Sequence, residues 1–180
     1  MKKFFKYNVG ASIGALVLII ILSVFLGVNR TVSSYKNNVI KNFTITGDSV
    51  SSDLQSYIDF AKQLSAIAAA NGCNTAQLDA ELAKLVTDDP FSGADEALNR
   101  ASSAAAVVYA ELSAKTNIDD RQRRTAVSCN AEMYSLISRI QNNDAYNKAA
   151  KKYNKAANAF PASVMVFFTD TTDDAAVFKK

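Results

Sequence analysis

Twenty consecutive residues without a charge, Val9–Val28 (VGASIGALVLIIILSVFLGV), constrain this chain more than any other feature. As an α-helix the run is about 30 Å long, the thickness of a bilayer's hydrocarbon core. A helix satisfies its backbone groups internally, so such a segment is stable in lipid. A cleaved signal peptide would carry a shorter apolar stretch followed by a small-x-small site. Here the run ends in Gly27-Val28-Asn29-Arg30, and no cysteine follows it closely to carry a lipid. The expectation is an uncleaved single-pass membrane anchor. Lys2, Lys3 and Lys6 precede the span, and Arg30, Lys36 and Lys41 follow it. That near balance leaves orientation weakly determined, with a lean toward the amino terminus inside and the domain outside. Gly10 and Gly14 form a GxxxG pair, a pattern that lets two spans approach closely. Small residues also occur in membrane helices without such a role, and that is the reading taken.

The chain divides into a short basic tail (1–8), the transmembrane helix (9–28), a domain (29–162) and a carboxy-terminal tail (163–180). Four of the 20 basic residues and no acid lie within the first 30 residues, so the remainder of the 180-residue chain is close to neutral. A nucleic-acid footprint is not expected from that balance. There is no His, which removes the commonest metal ligand. Cys73 and Cys129 cannot build an ordinary zinc site alone. They form one disulfide if the domain is extracytoplasmic, or remain two unpaired small residues. Among the paired carboxylates, Asp88-Asp89 and Asp173-Asp174 stand beside no candidate partner. Nucleophile-elbow, phosphate-loop, zincin and dinucleotide motifs are absent. The chain is expected to be no enzyme, to need no cofactor and to take no small-molecule substrate.

Beyond the span the pattern is helical. Gly and Pro are few (Gly47, Gly72, Gly93, Pro90, Pro161) and punctuate the chain. Val32, Tyr35, Val39, Ile40 and Phe43 continue the first helix into the domain, up to a break near Thr44-Ile45-Thr46-Gly47-Asp48. Ser52 with Gln55 reads as a capping box, followed by the stripe Leu54, Ile58, Ala61, Leu64 and Ile67, ending at Asn71-Gly72. Asn74 caps a short helix with Leu78, Leu82, Leu85 and Val86, stopped by Asp88-Asp89-Pro90. A fourth helix covers about 94–115. A fifth runs to about Phe160 with Val127, Tyr134, Ile137, Ile140, Tyr146, Ala149, Tyr153 and Ala156 near one face. Val164 to Phe168 is short and apolar, and Asp170 to Asp174 is polar and exposed. The fold class is all-α: one membrane helix, then an antiparallel helical bundle.

Tyr146-Asn147, Tyr153-Asn154 and Phe160-Pro161 form YNKAAKKYNKAANAFP. This resembles the carboxy-terminal signature of the LemA family, YN-x5-YN-x5-FP. Asn29-Arg30-Thr31-Val32 resembles the family's NRLV directly after the span. Tyr109-Ala110-Glu111-Leu112-Ser113-Ala114 resembles its YPxLxA, with Ala110 in place of proline. The family's paired arginines and Ile-Pro, expected near residues 50–65, are absent. The resemblance implies a single-span protein of the bacterial inner membrane with a helical bundle, and no general enzymatic activity.

Seven-residue spacing sets Tyr146, Tyr153 and Phe160 along one face, two turns apart. The structural reading places these aromatics in the bundle seam, with the asparagines bonding a neighbouring helix or loop end. The other reading is a ligand groove lined by Tyr and Asn. Lys148, Lys151, Lys152 and Lys155 form a basic stripe, either a solvated face or a surface for anionic lipid. The function expected is a membrane-anchored structural or interaction protein that binds lipid, other envelope proteins or copies of itself. The alternatives are a peptide- or lipid-sensing module with an exposed apolar groove, and a surface filament with the apolar helix as its core.

Overall fold

A computed structural model describes residues 2–45, 49–163 and 173–178, with side chains from residue 13 onward. The first helix, α1, runs unbroken over Lys2–Thr44. Its side chains between Ile13 and Leu26 are exposed, whereas Val39 and Phe43 are fully buried. One helix thus supplies both an uncovered apolar rod and a wall of the core. The stretch is long and apolar enough to cross a membrane near the amino terminus. Toward its end, the Thr44 hydroxyl donates back to the Ile40 carbonyl at 2.9 Å.

Five further helices follow: α2 (Val50–Ala70), α3 (Ala76–Leu82), α4 (Ala94–Ala114), α5 (Asp120–Gln141) and α6 (Asp144–Ala157). No strand occurs among the described residues. The cap of α2 is Ser49, whose hydroxyl accepts from the Ser52 amide at 3.1 Å. The box expected at Ser52 and Gln55 is not formed; Gln55 instead donates to Asp59 along the helix face. At the other end Gly72 adopts φ +73. The Cys73 and Gly72 amides close back on Ala68 and Ala69 at 3.0 Å each, the glycine-terminated stop expected there. The Asn74 carboxamide accepts from the Ala76 amide at 3.1 Å at the start of α3. Leu78, Leu82 and Leu85 are buried, while Val86 lies at the surface.

The long fifth helix of the sequence reading is two helices. Asn142-Asn143 breaks it, and the Asn143 side chain accepts from the Tyr146 amide at 3.1 Å, capping α6. Short polar side chains compete with the helical ladder in this way. The reversal lets α6 fold back along α1. It also re-aims α5, whose buried face is Ala126, Cys129, Met133, Leu136 and Ile140. Val127 and Tyr134, expected on that face, are exposed.

Neighbouring helices are mostly antiparallel. Along α2 and α5, Asp53 meets Arg139, Gln63 meets Cys129 and Asn71 meets Gln122. Along α1 and α6, Phe43 meets Tyr146 at 5.4 Å between ring centroids, and Tyr35 meets Lys152. The chain returns through α3, so α4 runs parallel to α2. Buried alanines at 97, 101, 104 and 105 let α4 sit close to its neighbours. The segments Val164–Phe168, Thr46-Gly47-Asp48 and Asp170 to Thr172 lie outside the described residues.

Two buried polar groups on α2 contrast. The Asp53 carboxylate is almost wholly buried and held by Arg139. The Tyr57 hydroxyl is buried with no hydrogen bond. It opens on a cavity of about 10 Å³ lined by Ser102 and Asn130, and Ser102 stands outside bonding geometry. Removing a partner from a buried charge is costly, whereas removing an unbonded hydroxyl is not. Arg139→Ala is therefore expected to destabilise by about 2–3 kcal/mol, and Tyr57→Phe to leave Tm unchanged or raise it. Thermal unfolding of both variants followed by circular dichroism checks the pair.

Candidate functional site

The residues singled out on α6 converge on one object, the carboxy-terminal segment Asp173–Phe178. The Asn154 side chain grips Ala175 at both backbone groups: its amide donates to the carbonyl at 2.9 Å, and its oxygen accepts from the N–H at 2.8 Å. Two turns earlier on α6 the Tyr146 hydroxyl donates to the Ala176 carbonyl at 2.8 Å. The Asn147 oxygen accepts from the Phe178 N–H at 3.1 Å, and its amide donates to the Gln141 carbonyl at 3.1 Å. Asn158 donates to Asp174 at 2.9 Å. From the opposite side the Ala176 N–H donates to the Pro90 carbonyl at 2.9 Å.

The order of these contacts sets the segment antiparallel to α6, as a strap. The period explains the fit. Seven helical residues, Asn147 to Asn154, advance about 10.5 Å. Three residues of extended chain, Ala175 to Phe178, advance about 10 Å. Asn147 and Asn154, seven apart on the helix, therefore meet backbone groups three residues apart on the strap. Phe178 buries its ring against Tyr146, 5.9 Å between centroids. Ala175 and Ala176 are buried where larger side chains would not fit close to the helix.

Tyr146 and Tyr153 are both buried, as the seam reading requires. Tyr153 packs edge-on to Phe91 at 5.2 Å. Burial, followed by the charges of Asp95 and Asp89, pushes the Tyr146 phenol far up, so it stays a neutral donor. Burial also raises the Tyr153 phenol, followed by the charges of Asp174 and Asp173. Phe160 departs from the expected face. Asn158 ends α6, the seven-residue register stops one turn early, and Phe160 stands 84% exposed in the turn before Pro161. Tyr109 is half-buried against the core.

Lys148, Lys151, Lys152 and Lys155 are all exposed. Lys148 lies 4.0 Å from Asp144. Lys152 lies over the Tyr35 ring at 5.5 Å. Because α6 runs alongside α1, the stripe follows the direction of the apolar helix instead of lying across it. A cavity of about 360 Å³ is lined by Lys36, Asp88, Asp89, Asp173 and Tyr153. Its lining is charged, unlike the apolar groove that a sensing module calls for. Among the described residues no group of three or more His, Cys, Asp or Glu stands together.

The cysteines are unpaired and buried. Cys129 donates to Gln63 at 3.2 Å. Gln63 sits about 10 Å along α2 from its end, which Cys73 follows; that is beyond the reach of a disulfide. Burial pushes both thiols up. Gly14 has open space around it, and Gly10 lies in the backbone of α1 beyond the described side chains.

No family model, curated protein or solved structure matches this chain.

Two expectations follow. Asn154→Ala removes both bonds to Ala175 and should cost about 1–3 kcal/mol. It should also speed hydrogen exchange at the Ala175 and Phe178 amides while the α2 amides keep their protection, as read by exchange NMR. Neither cysteine should react with a thiol reagent in the folded protein, and both should react in denaturant, as counted by intact mass.

Proposed function

We propose that this chain is a membrane-anchored, non-enzymatic interaction protein of the bacterial envelope, akin to the LemA family it resembles. Its bundle holds partner proteins, or further copies of itself, at the bilayer surface. The observation that carries this reading is the continuity of α1. The same helix is uncovered and apolar from Ile13 to Leu26 and becomes core at Val39 and Phe43. Among the described residues nothing covers the apolar half, so lipid or neighbouring copies must. The domain then stands on the membrane without a flexible linker.

The Tyr146 phenol that faces the strap is pushed up in pKa and bonds backbone, so it reads as a structural group. Val107, Val127 and Tyr134 are exposed apolar side chains on α4 and α5 and are available for protein contacts. The bundle is read as extracytoplasmic, from the compact lysine cluster before the span.

Native cysteines are too buried to report sidedness, so the test uses Ser103→Cys on the exposed face of α4. In intact cells an impermeant maleimide should label this position, and the chain should resist carbonate extraction. Labelling only after lysis would reverse the orientation. Release by shearing without detergent would replace the anchor reading with the filament.

A further inference from the structure

Phe160 is more exposed than any other large hydrophobic side chain among the described residues. A single exposed apolar residue needs no explanation by itself; its position supplies one. α6 descends beside α1 in a regular order. Tyr146 meets Phe43, Lys152 meets Tyr35, and Ala156, Ala159, Phe160 and Pro161 share an apolar cavity of about 190 Å³ with Gly27 and Val28. Val28 is the last residue of the uncharged run. Among the described residues the Phe160-Pro161 turn is therefore the part of the bundle that reaches down to where the apolar rod begins.

The polar side chains nearby have the matching order. Lys155 is exposed about one turn before Phe160, and Arg30 is exposed just past Val28. Cation above and aromatic ring below is the sequence of groups met on entering a bilayer from water. The lipid phosphates are anionic and lie outside the acyl chains.

We propose that the Phe160-Pro161 turn is a second membrane contact, in which Phe160 seats its ring in the interfacial layer of the bilayer that α1 crosses. Lys155 and Arg30 then lie at the level of the lipid phosphates. The inference rests on the membrane-anchor reading of α1. It accounts for a ring that the bundle leaves bare although its sequence partners Tyr146 and Tyr153 are buried. It also assigns the basic stripe a direction, with its Lys155 end toward the headgroups and Lys148 away from them.

The chain contains no tryptophan, so one substitution gives a single reporter. Phe160→Trp, Ile19→Trp and Tyr134→Trp are made in the full chain and reconstituted in phosphatidylcholine–phosphatidylglycerol nanodiscs. Discs with bromine at both shallow and deep positions of the acyl chains are compared with unbrominated discs. Phe160→Trp should emit to the blue of Tyr134→Trp and lose intensity in brominated discs, as Ile19→Trp does. Water-like emission at position 160 without quenching, beside a quenched position 19, overturns the second contact and leaves the anchor standing. An unquenched position 19 overturns both. Blue-shifted, unquenched emission at position 160 places the ring against protein, and also overturns the contact with lipid.

Discussion

The seam between α1 and α6 is the interaction on which the rest of this structure depends. Phe43 and Tyr146 meet there, deep in the core, and both are fully buried. The apolar rod and the bundle are therefore not separate units joined by a linker. The helix that leaves the uncharged segment is itself a core element. Burial of an aromatic ring contributes on the order of 2–3 kcal/mol, so detaching α1 would open the hydrophobic centre. A weaker junction would let the domain swing free of the apolar rod.

The second organising element is the match of two periods. A helix repeating Tyr-Asn every seven residues presents its carboxamides at a spacing that an extended backbone reproduces every three. Asparagine suits this role because its side chain carries the donor–acceptor pair of a peptide group. Asn154 uses both on one residue, and Asn147 joins the strap to the end of α5. Such contacts read backbone and not side chains, so selection along the strap comes from size. Alanine is admitted next to the helix and phenylalanine fills the space beside Tyr146.

Much of this was legible in the sequence, for identifiable reasons. The uncharged run, the continuation of α1, the Gly72 stop and the limits of α4 rest on local rules, and local rules suffice for them. The break at Asn142-Asn143 was not read, because apolar periodicity carries across it when helix faces are drawn as one stripe. Phe160 was misplaced for a related reason: its spacing is helical but the helix has ended. Ser49 caps α2 without a Glu or Gln three residues on, whereas Ser52 with Gln55 has the capping-box pattern, so the local pattern points to the wrong serine. The strap was the least legible element. Asn147 and Asn154 announced that something needed their hydrogen bonds, and no local signal in Asp173–Phe178 named the recipient.

The unbroken α1 also has a mechanical consequence. Membrane helices tilt to fit hydrophobic thickness, on average by roughly 20°. About 24 Å of α1 lies between Val28 and Thr44. If α1 crosses a bilayer as proposed, a 20° change in its apolar half carries the far end of the bundle sideways by about 8 Å. With no hinge to absorb the motion, bilayer thickness becomes a displacement of the domain. On that reading the chain is a lever whose longer arm, about 30 Å, lies in the lipid.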